Sequence, residues 1–265
     1  MKLNPAQIAE FKERGFLLFP GLLDEVEVGL LQREIPALLQ LTEPEAVREK
    51  EDPSRTRLVF GIHTHSEPFR RLVHLPRILN PVRQLLGEEV YLYQSRLNPK
   101  PGFGSGGGWD WHQDYPPWHS IDGVPEPRMI MTSVFVDDCT PVTSPLLVIP
   151  GSQTHGLLDA KPHADTRGRG YNLQTVEPNL LEQIAAEQGI EPLLGPAGSV
   201  AFVHVNVLHG SANNVSPWRR AITYLIYNAV SNASTKSERA WYQCAQDLTP
   251  VTSDADDSLR NCPST

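Results

Sequence analysis

Proline is the feature that most narrows what this chain can become. It supplies 24 of the 265 residues, roughly 9% against about 5% in an average protein. Each ring locks φ and removes an N–H donor, so long helices and central strands are repeatedly interrupted. A helical bundle is excluded on that ground, and short strands joined by many turns are favoured. The 40% hydrophobic content is too high for a disordered chain, and the length suits one large domain.

The first third carries helical signals. Asn4-Pro5, then Ile8 and Phe11, then Gly15 predict a short capped helix. Phe16–Phe19 predicts a buried strand closed by Pro20-Gly21, and residues 23–41 predict a helix that Pro36 kinks or splits. The charged stretch from Glu43 to Arg57 predicts a mobile loop, and 68–86 an amphipathic helix or pair ending at Gly87. From residue 90 the pattern changes. Val90–Leu97, Ile130–Val136, Leu146–Ile149, Ser199–Val203 and Ala221–Asn228 are short, β-rich and bounded by turn residues. One further helix is expected at Asn179–Glu187. Helices followed by strands without βα alternation predict a mainly β protein with flanking helices, an antiparallel sandwich or barrel under a helical cover. One domain is expected over 1–250, and a polar C-terminal tail over 251–265.

Charge narrows the partners. With 23 basic against 31 acidic residues the net charge is −8, and no Lys/Arg cluster suits a phosphate backbone, so nucleic acid is not the expected partner. No apolar run approaches the ~20 residues that cross a bilayer. Cys139, Cys244 and Cys262 are odd in number and widely spaced, which predicts reduced thiols, and no apolar leader follows Met1; the expected location is cytoplasmic. Asn214-x-Ser216 and Asn232-x-Ser234 match the glycosylation pattern, but nothing else suggests secretion. A small-molecule substrate remains, and the oligomeric state is open.

The chemistry concentrates in Trp109-Asp110-Trp111-His112-Gln113-Asp114-Tyr115-Pro116-Pro117-Trp118. On a strand, His112 and Asp114 project from one face, where an imidazole and a carboxylate can grip one cation. His209, in Val207-Leu208-His209-Gly210-Ser211, offers a third ligand at the edge of a β-like run, with His204 as the competitor. Two His and one carboxylate on one face of a metal leave three positions open, the arrangement of non-heme Fe(II) oxygenases. Arg220, eleven residues past His209, opens a strand from which a guanidinium can clamp a distal carboxylate, with Ser211 as a further donor. Arg219 competes for that role, and strand alternation with Ile222 and Tyr224 admits only one of the pair to the inner face.

The set His112-x-Asp114, His209 and Arg220 resembles the phytanoyl-CoA dioxygenase superfamily of Fe(II)/2-oxoglutarate oxygenases, especially its ectoine-hydroxylase-like and free amino-acid hydroxylase members. Tyr93-Gln94-Ser95-Arg96-Leu97-Asn98, Lys100-Pro101-Gly102, Trp118-His119, Asp122-Gly123-x-Pro125 and Pro150-Gly151-Ser152-x-x-His155-Gly156 carry the likeness in order and spacing. It departs from ectoine hydroxylases at Pro116-Pro117 and in the Gly-rich loop 104–108. The resemblance implies a double-stranded β-helix of jelly-roll or cupin-like type, with iron on His112, Asp114 and His209. It implies 2-oxoglutarate on Arg220 with Ser211 and Asn98 as helpers, and Gln94 and Trp118 toward the substrate. The implied reaction joins O2 with 2-oxoglutarate to hydroxylate an unactivated C–H bond of a small polar substrate, releasing succinate and CO2. Asp114 favours hydroxylation over halogenation, since a halogenase of this superfamily lacks that carboxylate. The competing readings are desaturation or cyclisation of a larger natural-product scaffold, and a non-catalytic cupin-like metal-binding protein.

Three features have plainer alternatives. Gly102-x-Gly104-x-x-Gly107 matches the dinucleotide fingerprint, but that motif needs a helix at its end, and Pro116-Pro117 predicts none there. Arg55, Arg57, His63 and His65 read as a solvated charge run or as a lid offering Arg57 to a substrate carboxylate; segments 43–67 and 102–108 are the candidate lids. Tyr115 and Trp118 are equally core aromatics or pocket walls.

Overall fold

The computed structural model of the protein describes residues 1–42, 44–50, 52–103, 107–162, 173–236 and 238–262. Helix α1 (Pro5–Arg14) begins where Asn4 accepts from the Gln7 amide and Gln7 reaches back to the Asn4 N–H, a reciprocal cap. It stops at Gly15, whose φ of 80° lets the chain turn sharply into β1 (Phe16–Phe19). Asp24 and Glu27 cap α2 (Glu25–Leu39) in the same way. Pro36 lies within the last turn, and the helix passes through it unbroken.

The stretch expected as a loop to Arg57 instead holds an edge hairpin, β2 (Ala46–Arg48) and β3 (Thr56–Phe60). Its charges hid an alternating apolar face: Val47, Leu58 and Phe60 are buried together with Leu173. Arg48, far from free, donates to the Leu39 and Leu41 carbonyls at the end of α2. A short turn α3 (Ile62–His65) leads to the expected helix pair, α4 (Glu67–Val73) and α5 (Pro76–Leu86), broken at the residues before Pro76 and ended by Gly87.

The remaining elements are β4 (Val90–Lys100), β5 (Trp109–His112), α6 (Tyr115–Ser120), β6 (Met129–Phe135), β7 (Leu146–Val148), β8 (Ala160–Pro162) and β9 (Gln174–Val176). Then follow α7 (Pro178–Gln188), β10 (Glu191–Leu193), β11 (Val200–His204), β12 (His209–Ser211) and β13 (Arg220–Ala229). They pair into two antiparallel sheets, ordered β1-β11-β6-β13-β4-β3-β2 and β10-β7-β12-β5-β9-β8. This is the predicted double-stranded β-helix. Ile130, Val134 and Leu225 of the larger sheet pack outward against Ile35, Leu72 and Leu79 of the helices. Its other face, through Met131, Phe135 and Ile222, closes on Leu146 and Val148 of the smaller sheet. Among the described residues no helix is long and apolar enough to cross a membrane.

Two expectations need correction. Pro116 and Pro117 do not prevent a helix: they occupy the first turn of α6, where a missing N–H costs nothing. The fingerprint still fails, because β5 intervenes between Gly107 and that helix; residues 104–106 lie outside the described residues. The segment after residue 250, expected as a polar tail, straps the helical layer. Val251 donates to the Val90 carbonyl, Arg83 and Arg71 donate to the Val251 and Ser258 carbonyls, and Leu259 is fully buried in the main apolar cluster. Leu259→Ala should therefore cost about 2–4 kcal/mol of stability, read as a lowered urea midpoint at unchanged slope.

Candidate metal centre

Local pairing brings the three ligand candidates together. β5 and β12 run antiparallel with His112 directly opposite His209, and the two rings lie 4.2 Å apart. Asp114 arrives differently from the prediction. β5 ends at His112, and Asp114 stands in helical conformation (φ −76°, ψ −30°) at the head of α6. Strand alternation therefore does not aim it; the turn into α6 does, held by the Asp114 N–H on the Val205 carbonyl at 3.1 Å. Gln113 between them is a peg, donating to the Gly156 and Asn206 carbonyls and accepting from Leu158.

The ligand atoms of His112, Asp114 and His209 all lie within 4.8 Å of one another, and all three residues are buried. Asp114 Oδ1 is 3.6 Å from His112 Nε2 and 3.9 Å from His209 Nε2. Each imidazole turns its other nitrogen to a carbonyl: His112 Nδ1 to Asp110 at 2.6 Å, His209 Nδ1 to Val207 at 3.0 Å. A carbonyl only accepts, so in the neutral form of each ring the proton resides on Nδ1 and the Nε2 lone pair faces the carboxylate. Burial pulls the His209 imidazole down to about 4, with His112 beside it adding to the shift, so it stands neutral, as a ligand must. Burial opposes ionisation of Asp114, but Arg96, His112 and His209 together hold its carboxyl well below the usual carboxylate range. His204, the competitor, is outside this cluster: it sits near Phe11 and accepts from the Asn206 N–H.

Next to the triad lies a cationic floor. Arg220, 1% exposed, opens β13 directly across from Lys100, 2% exposed, on β4. Arg220 donates from Nε to the Ser144 carbonyl at 2.8 Å, while its buried Nη1 has no partner. Ser144 holds a φ of 65°, a strained value for a side chain of this kind, and presents both its carbonyl and its hydroxyl to the two cations. Lys100 uses its three protons on Ser144 Oγ, Ser211 Oγ and the Ala212 carbonyl. Burial, then Arg220 and Arg57, pull its ammonium well below the ordinary lysine value. Because Ser211 accepts from Lys100, its own proton is free for an acceptor. Among the described residues no acid lies within ion-pair distance of either cation. Asn98 Oδ1 is likewise buried and unpartnered. Arg220 Nη1 and the Ser211 proton fit a missing carboxylate, whereas Asn98 Oδ1 is an acceptor and calls for a donor. Arg219 is excluded: it points outward and grips Asp137 with two hydrogen bonds.

Gln94, Arg96, Asn98, Trp118, Ser211 and Tyr224 line an open cavity over the triad. Trp118 serves both alternatives, lining the cavity while its ring packs 5.2 Å from that of Tyr93; Tyr115 is core, its hydroxyl on the Val124 carbonyl. Arg57 is not among the lining residues. It is buried, neither solvated nor offered to a ligand: it pairs with Glu49, donates to the Gly108 carbonyl and stacks 4.2 Å over Trp109. Four residues have no role assigned by the sequence: Arg96 and Lys100, which enter there only as part of the family likeness, and Ser144 and Arg239. Arg239 reaches the cavity from beyond the last strand, bound through Nε and Nη2 to Asp122, which also accepts from the Tyr93 hydroxyl. Period two along β4 was the available signal for Lys100 and Arg96, since it places 94, 96, 98 and 100 on one face.

Residues 11–222 match the phytanoyl-CoA dioxygenase (PhyH) family. The chain is 35% identical to an ectoine dioxygenase of Bordetella bronchiseptica over 239 residues, 87% of this chain and 77% of that protein. The chain belongs to the phytanoyl-CoA dioxygenase family. It is also 36% identical to the L-proline trans-4-hydroxylase of Streptomyces griseoviridis over 245 residues, covering 89% of this chain and 91% of that one. Among solved structures, EctD from S. alaskensis with 2-oxoglutarate and 5-hydroxyectoine has a TM-score of 0.82 at 31% identity, covering 95% of this chain and 87% of that chain.

His209→Ala should abolish stoichiometric Fe(II) uptake under anaerobic reconstitution, whereas His204→Ala should keep it; bound iron per chain is the measurement.

Proposed function

We propose that this family member is an Fe(II)- and 2-oxoglutarate-dependent dioxygenase that hydroxylates a C–H bond of a small carboxylate-bearing molecule, a free amino acid by class. The observation that carries the reading is the pairing of a two-histidine, one-carboxylate cluster with two buried cations that lack an acid. The first suits a ferrous ion and the second the far carboxylate of a dicarboxylic oxo-acid. Relatives of the same family named for ectoine and for L-proline support a small polar substrate.

In this reading His112, Asp114 and His209 hold the metal, and Arg220 with Ser211 and Lys100 holds the distal carboxylate of 2-oxoglutarate. Fe(II), when bound with 2-oxoglutarate and O2, supplies the oxidising power that places one oxygen atom in a C–H bond as the oxo-acid becomes succinate and CO2. The chain's own residues supply position. Asn98 presents its amide beside the co-substrate, and Asp114 fills the carboxylate position that a halide would need. Leu58, Phe60 and Leu173 form an apolar wall for the substrate body, while Gln94 and Arg239 offer donors to its polar end. Nε and Nη2 of Arg239 engage Asp122 and Nη2 also donates to the Gln243 carbonyl, which leaves Nη1 for the substrate. Trp109 and Trp118 cover the cavity and keep water from the reacting atoms.

Incubation with Fe(II), ascorbate, 2-oxoglutarate and a panel of amino acids should give succinate together with a product heavier by one oxygen. Product lighter by two hydrogens would favour desaturation instead, and no 2-oxoglutarate binding in an anaerobic titration would overturn the reading. Arg220→Ala should raise the apparent KM for 2-oxoglutarate about 10- to 100-fold, the worth of a charge-assisted hydrogen bond, and Arg219→Ala should leave it unchanged. Arg239→Ala should raise KM for the amino acid while 2-oxoglutarate affinity stays that of the wild type.

A further inference from the structure

The two oxygens of Asp114 do different things. Oδ1 faces both imidazoles, at 3.6 and 3.9 Å, while Oδ2 accepts from Arg96 Nη2 at 2.7 Å. Arg96 itself has little freedom. It faces inward on β4, opposite Tyr224 of β13, whose ring lies 5.2 Å from its guanidinium carbon. Met131 Sδ is 3.8 Å from Nη2, and Gln94 Oε1 receives Nη1 at 3.4 Å. A planar cation held on several sides aims its hydrogen bond in a fixed direction, which an ammonium on a flexible stem does not.

That aim matters because the terminal torsion of an aspartate is broad and roughly two-fold. An untethered carboxylate can swing both oxygens onto a metal. Two imidazoles and one carboxylate oxygen leave three of six positions open. A 2-oxo acid chelates through two of them, so O2 depends on the third. A carboxylate bound through both oxygens removes that third position.

We propose that Arg96 is a positioning residue that holds Asp114 to ligation through one oxygen and so preserves the position O2 requires. The inference rests on the metal reading above, and the experiment separates the two. Nitric oxide serves as the probe for the O2 position, added anaerobically to the full-length protein loaded with Fe(II) and 2-oxoglutarate. The readouts are the visible band of the Fe(II)–2-oxoglutarate chelate and the electron paramagnetic resonance signal of the iron–nitrosyl. Wild type should give both. R96K and R96M should keep the chelate band but bind nitric oxide at least about tenfold more weakly, the lower end of what an altered partner of a metal ligand costs. R96K guards against misfolding in R96M, because it keeps the buried charge. Wild-type nitric oxide affinity in both variants overturns the proposal. So does wild-type affinity in R96K with loss of iron from R96M, which would reduce Arg96 to charge compensation. A wild type that takes up no Fe(II) overturns the metal reading, and this inference with it.

Discussion

A carboxylate buried to 6% exposure governs the interior of this protein. Taking Asp114 out of water costs several kcal/mol unless neighbours compensate, and the barrel is arranged to compensate it. Arg96 supplies one hydrogen bond and full charge, while two imidazoles face the other oxygen with their lone pairs. Lone pairs do not satisfy a carboxylate. The side of Asp114 that Arg96 leaves uncovered is therefore a concavity made of one carboxylate oxygen and two imidazole nitrogens, a donor set that suits a cation. The metal reading follows from that imbalance more directly than from the motif.

The same charge accounting extends along β4 and β13. Arg57 has Glu49, Arg239 has Asp122, and Arg96 has Asp114. Lys100 and Arg220 are left with neutral acceptors only. Two buried basic side chains with no acid within ion-pair distance among the described residues, and the cation-seeking cluster of His112, Asp114 and His209, make two poles of opposite preference. A dianion with a carboxylate at each end satisfies both poles at once. A monocarboxylic oxo-acid would satisfy the metal pole alone, and the floor would stay unpaired.

The three ligand candidates were legible because a metal site of this class calls for two imidazoles and a carboxylate whatever the route of the chain, and His112, Asp114 and His209 do come together. The route itself was less legible. Asp114 was assigned to a strand on period-two grounds, yet it heads a short helix that Pro116 and Pro117 permit. Alternation correctly separated Arg220 from Arg219, since Ile222 and Tyr224 mark the inner face of β13. The same alternation in β4 did not betray Arg96 and Lys100. A strand that turns polar residues into a barrel carries the same pattern as one that turns them to water. The hairpin at 46–60 was hidden for a related reason, its charges being consumed by Glu49–Arg57 and by Arg48 on the end of α2.

The division between chemistry and specificity has a physical location. His112, His209, Arg220 and the β4 face belong to the paired strands, where cross-strand register fixes side chains in place, while Asp114 is set by the turn into α6. Arg239 instead comes from irregular chain after β13, beyond residues 11–222 that match the family. It is fastened by Asp122 on one side, and the neighbouring Gln243 carbonyl accepts from Gln94 on the other. From there the chain continues as the strap that ends with Leu259 in the helical cover. A segment pinned at discrete points can change its side chains without disturbing the sheets, whereas β4 and β13 cannot. The cation-seeking cluster and the buried basic pair are thus set largely by strand pairing, whereas Arg239 is set by its grip on Asp122 from the segment after β13.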